Sequence, residues 1–443
     1  MLGYNVWLAW RSVRRHPVLS ALIVGGIALG VGVSTAFITV YHLLAADPVP
    51  GRSHRLHHVR MDSWDPQNPH PHPSGLPPQI TYRDLRAVMQ SDLPVRQTGT
   101  FRAQMYVYPE NRRDRPSAER VRLVHGDFFP MFDLPFRHGG GWGAGADQKP
   151  EAVAVVSAAL NDRLFGGADS VGRRIRLADR EFTVVGVLAP WRPRLRFYDL
   201  TSDGMAEPES VFLPFNWVEP MEINPAGNRD NWITLPSDSS DSFSESLNGT
   251  EMTWLQLWVE LPDERRRQEY LDFVDAYTLE QKKLGRFQRP VNNRVTPIRE
   301  LMREWQVVPP QATALAIISV LFLAVASLNL VGLFLGKFLA RAPVVGVRRA
   351  LGASRGAIFL QHFVEAEVVG LLGGALGLLL SVGILALLSR AMGSLVQTEH
   401  FFQLDGAMVL AAVALSLVAG AIAGLYPSWR ICALPPAHHL KTQ

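Results

Sequence analysis

A chain of 443 residues that is 47% apolar, with 36 glycines and 31 prolines, is too long for one ordinary domain, and its apolar residues are unevenly placed. The formal charge of +4 is uneven too: residues 1–46 carry +3, residues 311–443 carry +4, and residues 47–310 carry −3, which puts the basicity at membrane borders, so the basic balance says little about nucleic acid and no nucleic-acid partner is expected. Cys432 is the sole cysteine, so no intrachain disulfide can form and the middle region must hold itself together by packing.

Residues 1–16 read as an interfacial elbow helix, with Val6, Trp7, Trp10 and Val13 interleaved with Arg11, Arg14 and Arg15, because aromatic rings prefer headgroup depth and arginine seeks phosphate. Residues 17–46 contain no Asp, Glu, Lys or Arg and exceed the roughly 20 residues needed to cross the hydrocarbon. A cleavable leader is the alternative, but its apolar core would run only about 7–15 residues, so a retained first span is expected. Gly26 and Gly30, with Ser34 one turn on, form a small-residue stripe for close helix approach.

Residues 47–310 read as an α+β domain. Strands are expected over 57–60, 104–108 and 120–124, a short helix over 82–89, and a hairpin over 174–187 turning at Ala178-Asp179-Arg180. Leu255, Leu257, Val259 and Leu261 alternate with Gln256, Trp258 and Glu260 as a further strand, followed by a helix over 262–284. The stretch 199–250 is rich in Ser, Pro, Asn and Asp and reads as an insertion.

Three more spans follow at 311–340, 358–389 and 404–427, separated by a basic segment at 341–357 and an outer turn at 390–403, with a tail at 428–443. The expected fold class is a membrane α-helical protein with four transmembrane helices and a large α+β extracytoplasmic domain inserted between the first and second. The positive-inside bias then places both termini in the cytoplasm, with Lys337, Arg341, Arg348, Arg349, Arg355, Arg430 and Lys441, and leaves Arg390 and Glu399 outside. Gly370 with Gly374 and Gly373 with Gly377 mark one side of the third span for close packing, as Gly420 with Gly424 do in the fourth, within a subunit or across a dimer.

The sequence holds no Gly-x-x-x-x-Gly-Lys-Ser/Thr phosphate loop, no Gly-x-Ser-x-Gly elbow and no His-Glu-x-x-His pair. A non-catalytic chain with no catalytic, cofactor or metal residues is therefore expected. Glu365 and Glu367 enter the third span, where pairing with Arg348, Arg349 or Arg355 is the expectation and a proton or substrate relay the alternative. Asn329 reads as an interhelical hydrogen-bond donor. His54, His57 and His58 with His70 and His72 could hold a metal, but the intervening prolines splay the last two, and solvated loop histidines are expected instead.

The segment Arg341-Ala-Pro-Val-Val-Gly-Val-Arg-Arg-Ala-Leu-Gly-Ala-Ser-Arg355 resembles the cytoplasmic loop of the MacB-like and FtsX-like ABC transporter permeases. The opening Asn5 to Arg15, the run 124–129 with Gly139-Gly140-Gly141-Trp142, the stretches 155–172 and 184–187, and the closing 424–430 with 433–437 are similar to the same family. The resemblance implies that Val344, Val345, Gly346, Val347, Arg348, Arg349, Ala350, Leu351, Gly352, Ala353 and Ser354 form the segment that docks on a separate ATPase, with Val344, Val345, Val347 and Leu351 as its apolar ridge. ATP and magnesium would be bound by that cytoplasmic ABC ATPase subunit and none by this chain. It further implies a second permease copy, as homodimer or heterodimer, membrane lipids, a plasma-membrane (inner-membrane) location, and optionally a periplasmic adaptor with an outer-membrane channel. The implied function is mechanotransmission, in which ATP hydrolysis moves the extracytoplasmic domain to export or extract a substrate such as a peptide, lipid-linked molecule, lipoprotein or drug. An FtsX-like, non-transporting regulator of an extracytoplasmic cell-wall hydrolase is the alternative. The chain departs from the family pattern at Pro343 and Val344, where Arg and Glu are usual, and at Pro435, where Asp is usual.

Overall fold

The computed structural model describes residues 2–15, 17–108, 115–191, 193, 195–202, 204–233, 243–391 and 405–433. In chain order the elements are α1 (Leu2–Arg15), α2 (Pro17–Ala45), β1 (Leu56–Arg60), α3 (Tyr82–Val88), β2 (Arg96–Tyr108), β3 (Ser117–Val124), α4 (Phe128–Met131), β4 (Phe136–Gly139), α5 (Ala144–Gln148), β5 (Val153–Val156), α6 (Ala158–Phe165), β6 (Arg174–Leu177), β7 (Arg180–Leu188), β8 (Val211–Pro214), α7 (Phe243–Gly249), β9 (Gln256–Glu260), α8 (Glu264–Lys283), β10 (Arg294–Pro297), α9 (Ile298–Glu304), α10 (Pro310–Leu339), α11 (Ala342–Ala350), α12 (Arg355–Ala391) and α13 (Gly406–Cys432). Contacts divide them into two units, Asp47–Val307 and Met1–Ala46 with Val308–Gln443. Glu399, Pro435 and Lys441 lie outside the described residues.

The first unit is built on one sheet in the order β10-β1-β9-β2-β3-β8-β5-β7-β4, with β6 pairing β2 and β7. Alternation along each strand fills both faces. Leu257 and Val259 enter one apolar cluster with Val121, Leu123, Val211 and Leu213. Trp258 enters the opposite cluster with Val124, Phe128 and Phe212. The polar residues that alternate along β9 are therefore not solvent-facing: Gln256 and Glu260 are buried, Gln256 against Asp199 and Glu260 against Arg96. The hairpin turns at Ala178-Asp179, with Leu177 paired to Arg180 and Ala178 at φ +53°.

The stretch 199–250 is not a simple insertion, because β8 pairs in parallel with β3 and antiparallel with β5 in the interior of the sheet. What holds it there is ionic. Arg122 of β3 bonds Asp199 (2.5 Å) and Glu209 (2.8 Å), Arg196 bonds Glu209 (3.0 Å), and all four side chains are fully buried. Despite the burial that opposes it, the two guanidinium groups hold the Glu209 carboxyl down to about 2. The polar composition that reads as loop in sequence is here the partner set of buried charges.

The histidines are engaged rather than solvated. His57 and His58 lie in β1 at 3% and 4% exposure, and His58 packs on the Trp258 ring at 4.9 Å. His70 meets Asp230 (3.4 Å) and Trp64 (4.5 Å), while His72 meets Ser74 (2.7 Å) and the Trp305 ring (4.7 Å). Only His54 of the five is exposed, and no group of three His, Cys, Asp or Glu side chains gathers around a common point among the described residues.

In the second unit four helices are long and apolar enough to cross a membrane: α2, α10, α12 and α13. Small residues let their backbones approach. A methyl at Gly26 would meet Leu330 at 3.1 Å, and one at Gly30 would meet Leu323 at 2.7 Å, so that stripe faces α10, where Ser34 also donates to the Ser319 carbonyl (2.7 Å). The third span's glycines face two neighbours rather than one. Gly373 and Gly377 lie on Ile27, Ala28 and Val31 of α2, whereas Gly370 and Gly374 lie on Ser416 and Gly420 of α13. Gly424 packs on Ala366. Asn329 departs from its expected role: it is exposed on the flank of α10, away from the other described helices.

Candidate coupling surface

The element between the second and third spans is defined by its caps. Arg341 precedes α11, and Pro343 lies in the first turn, where its missing N–H has no intrahelical acceptor to lose. The helix closes on Gly352 at φ +97°, with Ala353 N donating to the Arg348 carbonyl (3.0 Å) and Gly352 N to the Arg349 carbonyl (3.1 Å). Two residues on, the Ser354 hydroxyl accepts from Ala357 N (3.2 Å) and starts α12. The run Leu-Gly-Ala-Ser is thus a helix stop followed at once by a helix start.

These caps fix which side of α11 is presented. Ala342, Val345 and Gly346 are buried in the bundle, so Val345 leaves the expected ridge. Val344 (63% exposed), Val347 (47%) and Leu351 (82%) remain outside, spaced three and four residues apart on one face. The arginines beside them point elsewhere: Arg348 Nη1 donates to Gln361 Oε1 of α12 (2.7 Å), and Arg349 Nη1 to the Cys432 carbonyl at the end of α13 (3.3 Å). They fasten the helix to the bundle. Gly352, Ala350 and Ser354 are exposed at its end, and Ala353 is half-buried.

Glu365 does not pair with Arg348, Arg349 or Arg355. Its buried carboxylate takes Lys337 Nζ (3.0 Å) from the last turn of α10 and Arg341 Nη1 (3.1 Å) from the residue before α11. It also accepts from the Ser12 hydroxyl of α1. Lys337 and Arg341 are four residues apart at the end of an apolar run, a spacing in the sequence that could have flagged them as a pair awaiting a carboxylate. Glu367 faces the other side, against Gly420, with both carboxylate oxygens buried. α1 presents Tyr4, Trp7 and Trp10 outward, with Arg11 and Arg14 over the two indoles, and turns Ala9 and Ser12 inward.

Four membrane-length helices interrupted by a large α+β domain after the first define a multi-pass membrane protein with a large extracytoplasmic domain. Residues 20–271 match the MacB-like periplasmic core domain, and residues 316–436 match the FtsX-like permease C-terminal domain. The chain belongs to the MacB/FtsX-like family of ABC transporter permeases. It is 22% identical over 447 residues to YknZ of Bacillus subtilis, an uncharacterized ABC transporter permease, with 99% of this chain and 98% of that one covered. It is 25% identical over 317 residues to the macrolide export ATP-binding/permease protein MacB of Syntrophobacter fumaroxidans, covering 65% of this chain. The chain spans 42% of that relative's length. The solved periplasmic region of MacB from Actinobacillus actinomycetemcomitans covers 57% of this chain and 93% of its own, at 9% identity and a TM-score of 0.35.

Proposed function

We propose that this chain is the membrane subunit of an ABC transporter whose ATP-binding subunit is a separate polypeptide, and that α11 is the surface on which that subunit docks. With the domain between the first and second spans outside, α11 and both termini are cytoplasmic. The observation that carries the reading is the exposed edge of Val344, Val347 and Leu351, held on a short helix whose opposite side is buried and whose arginines are tied to α12 and α13. Apolar anchors at helical spacing suit insertion into a groove on a partner, and a helix fastened at both ends transmits displacement instead of bending under it. ATP and magnesium are bound by the partner, and nucleotide-driven closure there displaces α11, the spans and the outer domain in turn. The chain works beside a second permease copy in the plasma membrane, acting on a substrate already outside the inner leaflet.

Co-purification in native detergent tests this. The wild-type chain is expected to bring down an ATP-binding subunit and to stimulate its ATPase, and Leu351→Asp and Val347→Asp are expected to abolish both while membrane insertion is unchanged. Stimulation retained in those variants, or no ATP-binding subunit recovered with wild type, overturns the reading.

A further inference from the structure

One carboxylate joins five helices at the end of the bundle that carries α11. Glu365 of α12 is 2% exposed and receives Lys337 of α10, Arg341 at the entry to α11, and Ser12 of α1. Lys337 reaches on to the Ser20 hydroxyl of α2 (3.2 Å), and Arg341 Nη2 to the Ser12 hydroxyl (2.5 Å). His362, one turn before Glu365, lies 3.8 Å from the carboxylate and packs at a tilt against the Phe338 ring at 4.5 Å. No other described carboxylate bridges these helices.

The chemistry of the cluster decides what it does. Two cations share a single buried anion in low dielectric, so moving either one away breaks charge-assisted bonds that water does not replace, and removing the anion leaves the buried Lys337 ammonium without its counter-charge. α11 is otherwise an element of nine residues between two long helices, and Arg341 is the only one of its flanking cations that reaches α12 and α1 together. A displacement of α11 therefore pulls on α1, α2, α10 and α12 through Glu365 before it can be absorbed by bending of the linking residues.

We infer that Glu365 is a positioning residue that converts movement of α11 into concerted movement of the spans, so that without its charge the ATPase still docks but its stroke is not delivered. The inference rests on the docking role proposed for α11. Its test uses the full chain with its ATP-binding subunit in nanodiscs, in a Cys432→Ser background, with spin labels on Ala45→Cys and Gln311→Cys. Both positions are exposed, at the end of α2 and the start of α10, two helices that run antiparallel.

With Glu365 intact, ATP and vanadate are expected to shift the distance between the labels. With Glu365→Gln the shift is expected to fall at least tenfold, while recovery of the ATP-binding subunit and its stimulated ATPase rate stay within twofold. A merely structural role would lower all three together, and that outcome overturns the inference, as does a shift kept within twofold of wild type. Should Glu365→Gln not fold, Ser12→Ala and Arg341→Lys weaken the same cluster without removing its anion. A threefold or larger loss of the shift at constant ATPase is expected of them, and an unchanged shift overturns the inference. If wild type recovers no ATP-binding subunit or shows no nucleotide-dependent shift, the docking reading itself has failed, which is a separate result.

Discussion

Ala178 takes φ +53° at the first position of a two-residue turn, a backbone region in which its Cβ crowds the chain and a glycine would not. Ala178→Gly is therefore expected to stabilise the extracytoplasmic domain by about 0.5 kcal/mol, the relief of strain outweighing the added freedom of the unfolded chain. Denaturant midpoints at constant slope measure it, and a lowered midpoint would contradict the strain argument. Gly139 shows the opposite case: at φ +63° it lies where a methyl would come 2.1 Å from the Val185 carbonyl, so no other residue fits without moving β7. The backbone angles and the neighbouring carbonyl separate a tolerated side chain from an excluded one.

At the scale of elements, the seam between α2 and α12 brings backbone against backbone. A methyl at Gly377 would stand 3.0 Å from the Ala28 carbonyl and 3.1 Å from the Gly32 nitrogen, atoms that cannot rotate away. Gly377→Leu should lower the unfolding midpoint in detergent, with a cost of about 1–3 kcal/mol, whereas Gly332→Leu, where the added group meets open space, should leave it unchanged. Equal midpoints for the two variants would mean that the seam is not close-packed. The apolar runs made these helices legible in sequence, because twenty or more uncharged residues have few other uses. The hairpin was legible for a similar reason, alternation about a turn. β2 was only half legible: the expected strand covers 104–108, while the observed one begins at Arg96 and includes Gly99, where Leu85 comes within 2.5 Å of where a Cβ would stand. β8 was missed because its neighbours Asp199 and Glu209 look like solvent-loving loop residues until Arg122 and Arg196 are placed beside them. The partners of Glu365 were misassigned since three arginines lie nearer in sequence, and helix direction rather than sequence distance decides which cation reaches it.

For the molecule as a whole, the buried titratable groups set a pH dependence with a definite sign. Burial lowers His57 to about 4 and His58 to about 3, so below the ordinary histidine value the unfolded chain takes up protons that the folded domain refuses. Stability should therefore fall as pH drops from about 6.5, by on the order of 1 kcal/mol per histidine per pH unit, until the folded values are reached. Glu209 acts lower: with its folded value near 2, its contribution is complete above about 4.5 and is lost as pH falls toward 2. Hydrogen exchange at the β1 and β9 amides of the full chain measures this. Protection that stays flat from pH 7 to pH 5 would show that the two imidazoles are not buried as described.

The sheet order carries a consequence for biogenesis. β1 emerges early, but both of its neighbours, β9 and β10, come from the last fifth of the domain. Until residues 256–297 have been translocated, β1 offers two unsatisfied edges and an uncovered Trp258 site, and loop closure over some two hundred residues must precede its first ladder bond. Export of this polypeptide thus leaves a long interval in which a strand is bare, and an extracytoplasmic holdase or slow threading through the translocon would govern its yield more than the stability of the finished sheet.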